Sequence, residues 1–407
     1  MRVTVKPFLC LALLLMVGAP PVQGQWLSEE AARLHKQAFI FDAHVHFINR
    51  QLYLGGDIAD RLPGPVSEIG VDLPSTQEGG LDAFFLNLYV EPNYTKQHFE
   101  VKQTLRLLDL AQRQIRKNNA RIEIALNGRD IDRIRSAGKI AAVLDLEGAF
   151  DYDGDLGMLR GLYALGLRSV QFADNAQSNG YADASCCASK WNGINERGRA
   201  LLREMNRLGM VVNLAHASEA TWMQVVELSD DPVVATHQGL RAFNPRHSGN
   251  ASDEMVKVLA AKGGVLAVHF SPNTWSPRFF DYSRNKPPSP DPEPPLSARP
   301  SYDEIVKYYR LAYQKPGEVP PPDVVEPISR FVEVVDYAVK LIGEDHVALG
   351  SDFGGGLNSR AGMTNIGEYG RVTEALVDKG YTEEPIRKIL GGNLLRVFRR
   401  VTGGGEH

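Results

Sequence analysis

From Gln25 onward, short apolar runs alternate with helix-like stretches eight times over, and this rhythm constrains the fold more than anything else in the chain. The apolar runs fall at 39–46, 81–90, 139–146, 168–173, 210–215, 232–236, 264–270 and 346–350. The intervening stretches carry helical periodicity, as at Val101, Leu105, Leu108 and Ile115 within 98–118. Ser28, Ser218 and Ser252 are placed to cap helices reaching 36, 228 and 262, and Gly209 to end the one over 195–208. Further helices are predicted at 156–165, 327–342, 366–379 and 382–399. Strands alternating with helices pair in parallel, and runs that are nearly all apolar are covered on both faces. Eight such units close into an α/β fold of the (β/α)8, TIM-barrel type. The alternative is an open doubly wound sheet. The absence of Gly-x-Gly-x-x-Gly after the first run weakens it.

The 407 residues, 43% hydrophobic and 23% charged, suit one large core, so 25–407 is expected to be a single barrel domain. Two stretches break the rhythm. The Gly/Pro-rich connection over 55–74 is long for a compact domain. Lys286–Pro300 holds seven prolines and is expected to be a surface excursion between the seventh strand and its helix. At the N-terminus, Arg2 and Lys6 precede an apolar stretch, Phe8–Ala19, and small residues follow at Val22-Gln23-Gly24. That pattern predicts a signal peptide over 1–24 and an exported chain, periplasmic or secreted, starting at Gln25. A retained anchor is the alternative, although the apolar run is too short to span a bilayer. Cleavage leaves only Cys186 and Cys187, for which a free pair, an intermolecular link and a vicinal bridge all stay open. A net charge of −4 with no basic stripe points away from nucleic acid, and none is expected as a partner.

In such a barrel, catalytic groups sit where strands end. The first strand ends in Asp42, His44 and His46, with the two histidines at i and i+2 and so on one face. The third ends in Asp145 and Glu147, the fifth in His216, the sixth in His237 and the eighth in Asp352. One catalytic zinc uses three protein ligands and a water. His44, His46, Glu147, His216 and His237 exceed that and suit two ions with Glu147 between them, which leaves Asp352 to carry a proton. Asp42 either orients a histidine or binds backbone at the strand end. His269 reads as packed or pocket-lining rather than as a sixth ligand. His35, His98, His247 and His346 read as ordinary surface or turn residues.

The chain resembles the membrane dipeptidase (renal dipeptidase) family of zinc peptidases from about Ala38 to Phe398. The resemblance rests on Val71-Asp72-Leu73-Pro74, Glu78-Gly79-Gly80-Leu81, Leu146-Glu147-Gly148, Asn206-Arg207-Leu208-Gly209, Asn213-Leu214-Ala215-His216, Thr236-His237, Gly350-Ser351-Asp352-Phe353 and Gly392-Asn393-Leu394-Leu395-Arg396-Val397-Phe398. It implies two zinc ions, one held by His44 and residue 46 and the other by His216 and His237, with Glu147 bridging and Asp352 acting on the water. It also implies a dipeptide as substrate, and a homodimer. The chain departs from the family pattern at several points. His46 stands where the family has aspartate, and Asp174 where it has a substrate-contacting histidine. Gly249-Asn250 replaces Arg-Asn, so Arg241 or Arg246 is expected to take over the substrate carboxylate. Gly354 replaces the second aspartate of Asp-Phe-Asp-Gly. Two other functions stay open: hydrolysis of another small amide, N-acyl amino acid or lactone, and a non-catalytic metal-binding barrel.

Overall fold

A computed structural model describes residues 27–62, 71–148, 150–286, 292–315, 320–355 and 362–403. The expected signal peptide lies outside them. Eight parallel strands form the barrel: β1 (Phe41–Val45), β2 (Ala83–Tyr89), β3 (Ile140–Glu147), β4 (Leu167–Gln171), β5 (Val211–Asn213), β6 (Val234–Gln238), β7 (Val265–His269) and β8 (Val347–Gly350). They pair in chain order. The chain just past β8 closes the ring on β1: the Asp352 amide donates to the His44 carbonyl at 2.8 Å, and the His46 amide to the Phe353 carbonyl at 2.8 Å. A doubly wound sheet would reverse its strand order at a switch point, and this one does not.

Two apolar layers follow from the pleat. Phe41, Ala43, Phe85, Ala141, Val143, Val211, Val234, Val265 and Ala348 point inward and pack as one buried cluster with Leu394, Val397 and Phe398. The last three belong to the terminal helix Asn393–Gly403, which therefore plugs the bottom of the barrel. The alternate residues, such as Leu86, Leu144, Val212 and Ala235, face the surrounding helices.

The catalytic end depends on a break in that alternation. Phe41 and Ala43 face inward, so strict pleating would send Val45 inward and both histidines outward. A one-residue register shift between Asp42 and Val45 reverses the phase. Val45 joins the outer layer, and His44 and His46 turn into the barrel. The same device recurs on β6, where a shift between Ala235 and Gln238 turns His237 inward. Bulges of this kind re-aim side chains beside active sites.

The structure adds elements to the sequence reading. A short strand, Ile122–Ile124, pairs with Ile140–Ala142. Helices at Pro277–Asn285 and Tyr302–Gln314 flank the proline-rich segment, so the excursion lies between two helices rather than directly between a strand and its helix. Residues 287–291 fall outside the described set, and 292–300 hold no helix or strand. Of the connection expected over 55–74, residues 63–70 are outside the described set, and a helix, Leu73–Glu78, has begun before its end. Among the described residues, no helix is long and apolar enough to cross a membrane.

His35 is not the surface residue expected. It is buried, with Nδ1 2.8 Å from Thr373 Oγ1 and Nε2 3.1 Å from the Gly79 carbonyl. Burial lowers its pKa, and the bond to Gly79 only partly offsets this. The unfolded chain therefore takes the proton more readily, so the imidazole's contribution is complete above about pH 6.5 and is lost as pH falls further. The melting temperature of His35→Gln is expected to drop less than that of the wild type between about pH 7 and about pH 5. Equal drops in thermal melts would refute this.

Candidate metal centre

The carboxylate of Glu147, at the end of β3, stands between two pairs of imidazoles. Its Oε2 lies 3.1 Å from His44 Nε2 and 3.4 Å from His46 Nε2. Its Oε1 lies 3.3 Å from His216 Nε2 and 3.9 Å from His237 Nε2. Within the pairs, His44 and His46 face each other at 3.2 Å, and His216 and His237 at 2.9 Å, through Nε2 atoms. Two neutral ring nitrogens so close repel through their lone pairs unless a proton or a cation lies between them. Two buried trios, His44–His46–Asp352 and His44–Glu147–His237, have the compactness of a metal site. The donor set of imidazoles and carboxylate is the one zinc takes.

The surroundings favour positive charge. Burial pushes the His44 imidazole down, but Asp145, 3.6 Å from Nδ1, and Glu147 outweigh it and raise its pKa to about 10. Burial pushes Glu147 up, and hydrogen bonds from His216 and His44 bring it well below the usual carboxylate range. Burial and the charge of His44 hold His237 well below the usual imidazole range.

Asp352 closes the ring of contacts. Its Oδ1 lies 2.9 Å from His46 Nε2, and its Oδ2 3.0 Å from His269 Nε2. His269, at the end of β7, thus lines the site and holds Asp352. A Cβ on Gly355 would fall 2.0 Å from Asp352 Oδ1, so the carboxylate needs a glycine there. Both His216 (φ 63°) and Asp352 (φ 55°) adopt the left-handed conformation. That costs a non-glycine residue about 1–2 kcal/mol, a strain that clusters at functional sites. Asp42 resolves in favour of backbone bonding: Oδ1 accepts from the amides of His44 at 2.9 Å and Ser351 at 3.0 Å.

These groups open on a cavity of about 290 Å³. An adjoining lobe of about 190 Å³ shares His46, Tyr89 and Gly355 with it and is walled by Tyr309, Tyr313 and the buried Glu91, which burial raises to about 7. Residues expected to contact substrate lie elsewhere. Asp174 is fully buried in the wall, where Oδ1 accepts from the Ala176 amide; its neighbour Asn175 lines the cavity instead. Arg241 pairs with Glu219 at 2.9 Å, and Arg246 with Asp281 at 2.7 Å. Each has a carboxylate of its own, and neither lines the cavity.

Other residues were missed. His247, expected on the surface, lines the cavity, and burial lowers its pKa to about 4. Asn87 on β2 places Nδ2 2.8 Å from His44 Nε2 and 2.5 Å from Glu147 Oε2. Its signal was a polar side chain inside the apolar run of β2, where asparagine is disfavoured. Cys186 and Cys187 form a vicinal disulfide on the loop after β4. The adjacent Ser185 amide binds the His216 carbonyl at 2.8 Å, tying that loop to the site.

This architecture has relatives. Dipeptidase tcpJ of Claviceps purpurea is 28% identical, covering 98% of this chain and 86% of its own length. Dipeptidase aclJ of Aspergillus oryzae is also 28% identical, over 83% of this chain and 70% of its own. The barrel superposes on the probable dipeptidase PvdM of Pseudomonas aeruginosa with a TM-score of 0.74 at 23% identity, over 92% of this chain and 98% of that one. It also superposes on a Rhodobacter sphaeroides metallopeptidase liganded with a phosphinate mimic of L-Ala-D-Ala, with a TM-score of 0.67 at 22% identity, over 89% and 99% of the two chains. The sequence model of the membrane dipeptidases matches residues 28–405, a span that takes in every strand of the barrel and every group around Glu147. The chain therefore belongs to the membrane dipeptidase family, peptidase family M19, and is an enzyme of the metal-dependent dipeptidase kind.

Proposed function

We propose that this chain is a binuclear zinc hydrolase that cleaves the amide bond of dipeptides. The observation that carries the reading is the disposition of Glu147, with one oxygen toward each pair of imidazoles. His44 and His46 would hold one ion, His216 and His237 the other, and Glu147 would bridge. Zinc ions held there would lower the pKa of a water and polarise the scissile carbonyl. Asp352 receives the proton of the attacking water on Oδ1 and returns it to the leaving amine, while His269 fixes Oδ2. The tyrosine-lined lobe offers room for a substrate side chain. With residues 1–24 removed on export, the activity belongs outside the cytosol.

A second reading has one observation in its favour. Among the described residues, no lysine or arginine lines the cavity, so that lining offers no permanent cation for a substrate carboxylate. A small amide or lactone without a free carboxylate would meet this site with less left unpaired.

Metal content per chain, paired with dipeptide hydrolysis before and after chelation, tests both. About two zinc ions and chelator-sensitive hydrolysis are expected. Two ions without dipeptide turnover would transfer the assignment to the second reading. Less than one ion under zinc-replete conditions would overturn the metal centre.

A further inference from the structure

Four atoms meet at the inner end of the site: His44 Nε2, His46 Nε2, Glu147 Oε2 and Asn87 Nδ2. Asn87 lies 2.8 Å from His44, 3.1 Å from His46 and 2.5 Å from Glu147. The other three separations are 3.2, 3.1 and 3.4 Å. Four points with nearly equal separations form a tetrahedron and cannot lie flat. Its centre sits about 0.6 of an edge from each corner, here roughly 1.8 Å, close to the ~2.0–2.1 Å of zinc bonds to nitrogen and oxygen. Asp352 Oδ1 touches one corner of this figure, 2.9 Å from His46 Nε2, but lies 4.0 Å from His44 Nε2, beyond the longest of its edges.

The amide itself poses a problem. Asn87 is fully buried, and its Oδ1 has no hydrogen-bond partner. Nδ2 meanwhile donates toward three lone pairs that a cation would also require. An N–H cannot point at the centre of an occupied metal site, and an amide nitrogen is no ligand for zinc. A half-turn about Cβ–Cγ exchanges Nδ2 and Oδ1 within the same volume. It puts a hard oxygen at the fourth corner.

We propose that Asn87 is a metal ligand: with the ion bound, its Oδ1 completes a four-coordinate site with His44, His46 and Glu147. This rests on the dinuclear reading above and goes beyond it by dividing the labour between the ions. The site containing Asn87 is filled by protein atoms, as structural zinc sites are. The site of His216, His237 and Glu147 Oε1 has three protein ligands and keeps the open position that catalysis needs. Asn87 also adds an oxygen donor to the site where His46 brings nitrogen.

The test is metal binding to the purified full-length protein, by zinc stoichiometry and by cobalt(II) titration with its visible spectrum. Asn87→Ala is expected to bind one of the two ions about 10–100-fold more weakly. It should also lose that site's share of the intense absorption of four-coordinate cobalt. Asn87→Asp, of the same shape and with an oxygen in either rotamer, is expected to bind at least as tightly as wild type. Two ions at wild-type affinity and an unchanged spectrum in Asn87→Ala would overturn the proposal. So would tighter binding, which would mean that the amide obstructs the ion. Weaker binding by Asn87→Asp would overturn it independently of how the alanine variant folds. A wild type that binds no metal would instead sink the dinuclear reading, and the role of Asn87 with it.

Discussion

Asp352→Asn is expected to lower kcat for dipeptide hydrolysis by about 10²–10⁴-fold, the usual worth of a positioned acid–base group. The substitution is nearly isosteric. An amide oxygen can stay 2.9 Å from His46, and the other arm can still meet His269. The left-handed backbone at 352 tolerates asparagine better than most residues. What the amide cannot do is accept a proton from water and return it to an amine. Asp352 Oδ1 lies 4.0 Å from His44 Nε2, farther than either Glu147 or Asn87, and an asparagine oxygen can keep its place beside His46, so metal content is expected to stay at the wild-type value. KM should change little, because the group acts as the bond breaks rather than in holding the substrate. Steady-state kinetics and metal analysis on one preparation check this. A kcat within about threefold of wild type would remove Asp352 from the proton path. Loss of an ion would make it a ligand instead.

The fold was legible because the eight barrel strands are buried on both faces, and burial of that kind writes itself as continuous apolar sequence. Ile122–Ile124 was not, since three residues leave no period to read. Tyr302–Gln314 hides its helix behind tyrosines, which are mediocre helix formers. In the site, every residue at a strand end stood where barrel topology puts chemistry. Their inward aim was a different matter. His44 and His46 share a face by alternation alone, but that face is the interior only because β1 carries a bulge, and nothing in Asp42-Ala43-His44 announces one. Arg241 and Arg246 looked available because Glu219 and Asp281 lie 22 and 35 positions away, a separation across which sequence carries no pairing signal. Asn87 and His247 were missed for the complementary reason. His247 is an ordinary residue locally, and Asn87 only an odd polar one in an apolar strand; each becomes chemical where the fold brings it to the site.

Glu147→Gln should remove more than Asp352→Asn does, because it strikes both halves of the site at once. Each carboxylate oxygen faces its own pair of imidazoles, and a bridging ligand between two cations needs both oxygens and the negative charge. Glutamine presents oxygen to one pair and an N–H donor to the other. It also withdraws the hydrogen-bonding anion that helps hold positive charge at His44. Affinity for both ions is expected to fall by at least about 10²-fold, the upper range for losing even an outer-sphere partner. Hydrolysis should fall with it. A readout independent of turnover comes from linkage: a ligand that binds only the folded chain adds about 4 kcal/mol of stability at a thousandfold excess over its Kd. Zinc should therefore raise the melting temperature of the wild type and leave that of Glu147→Gln almost unmoved. If the variant still gained the full zinc-dependent rise, the ions would have to be held without a shared carboxylate. The two halves of the centre would then be separate sites that happen to face the same residue.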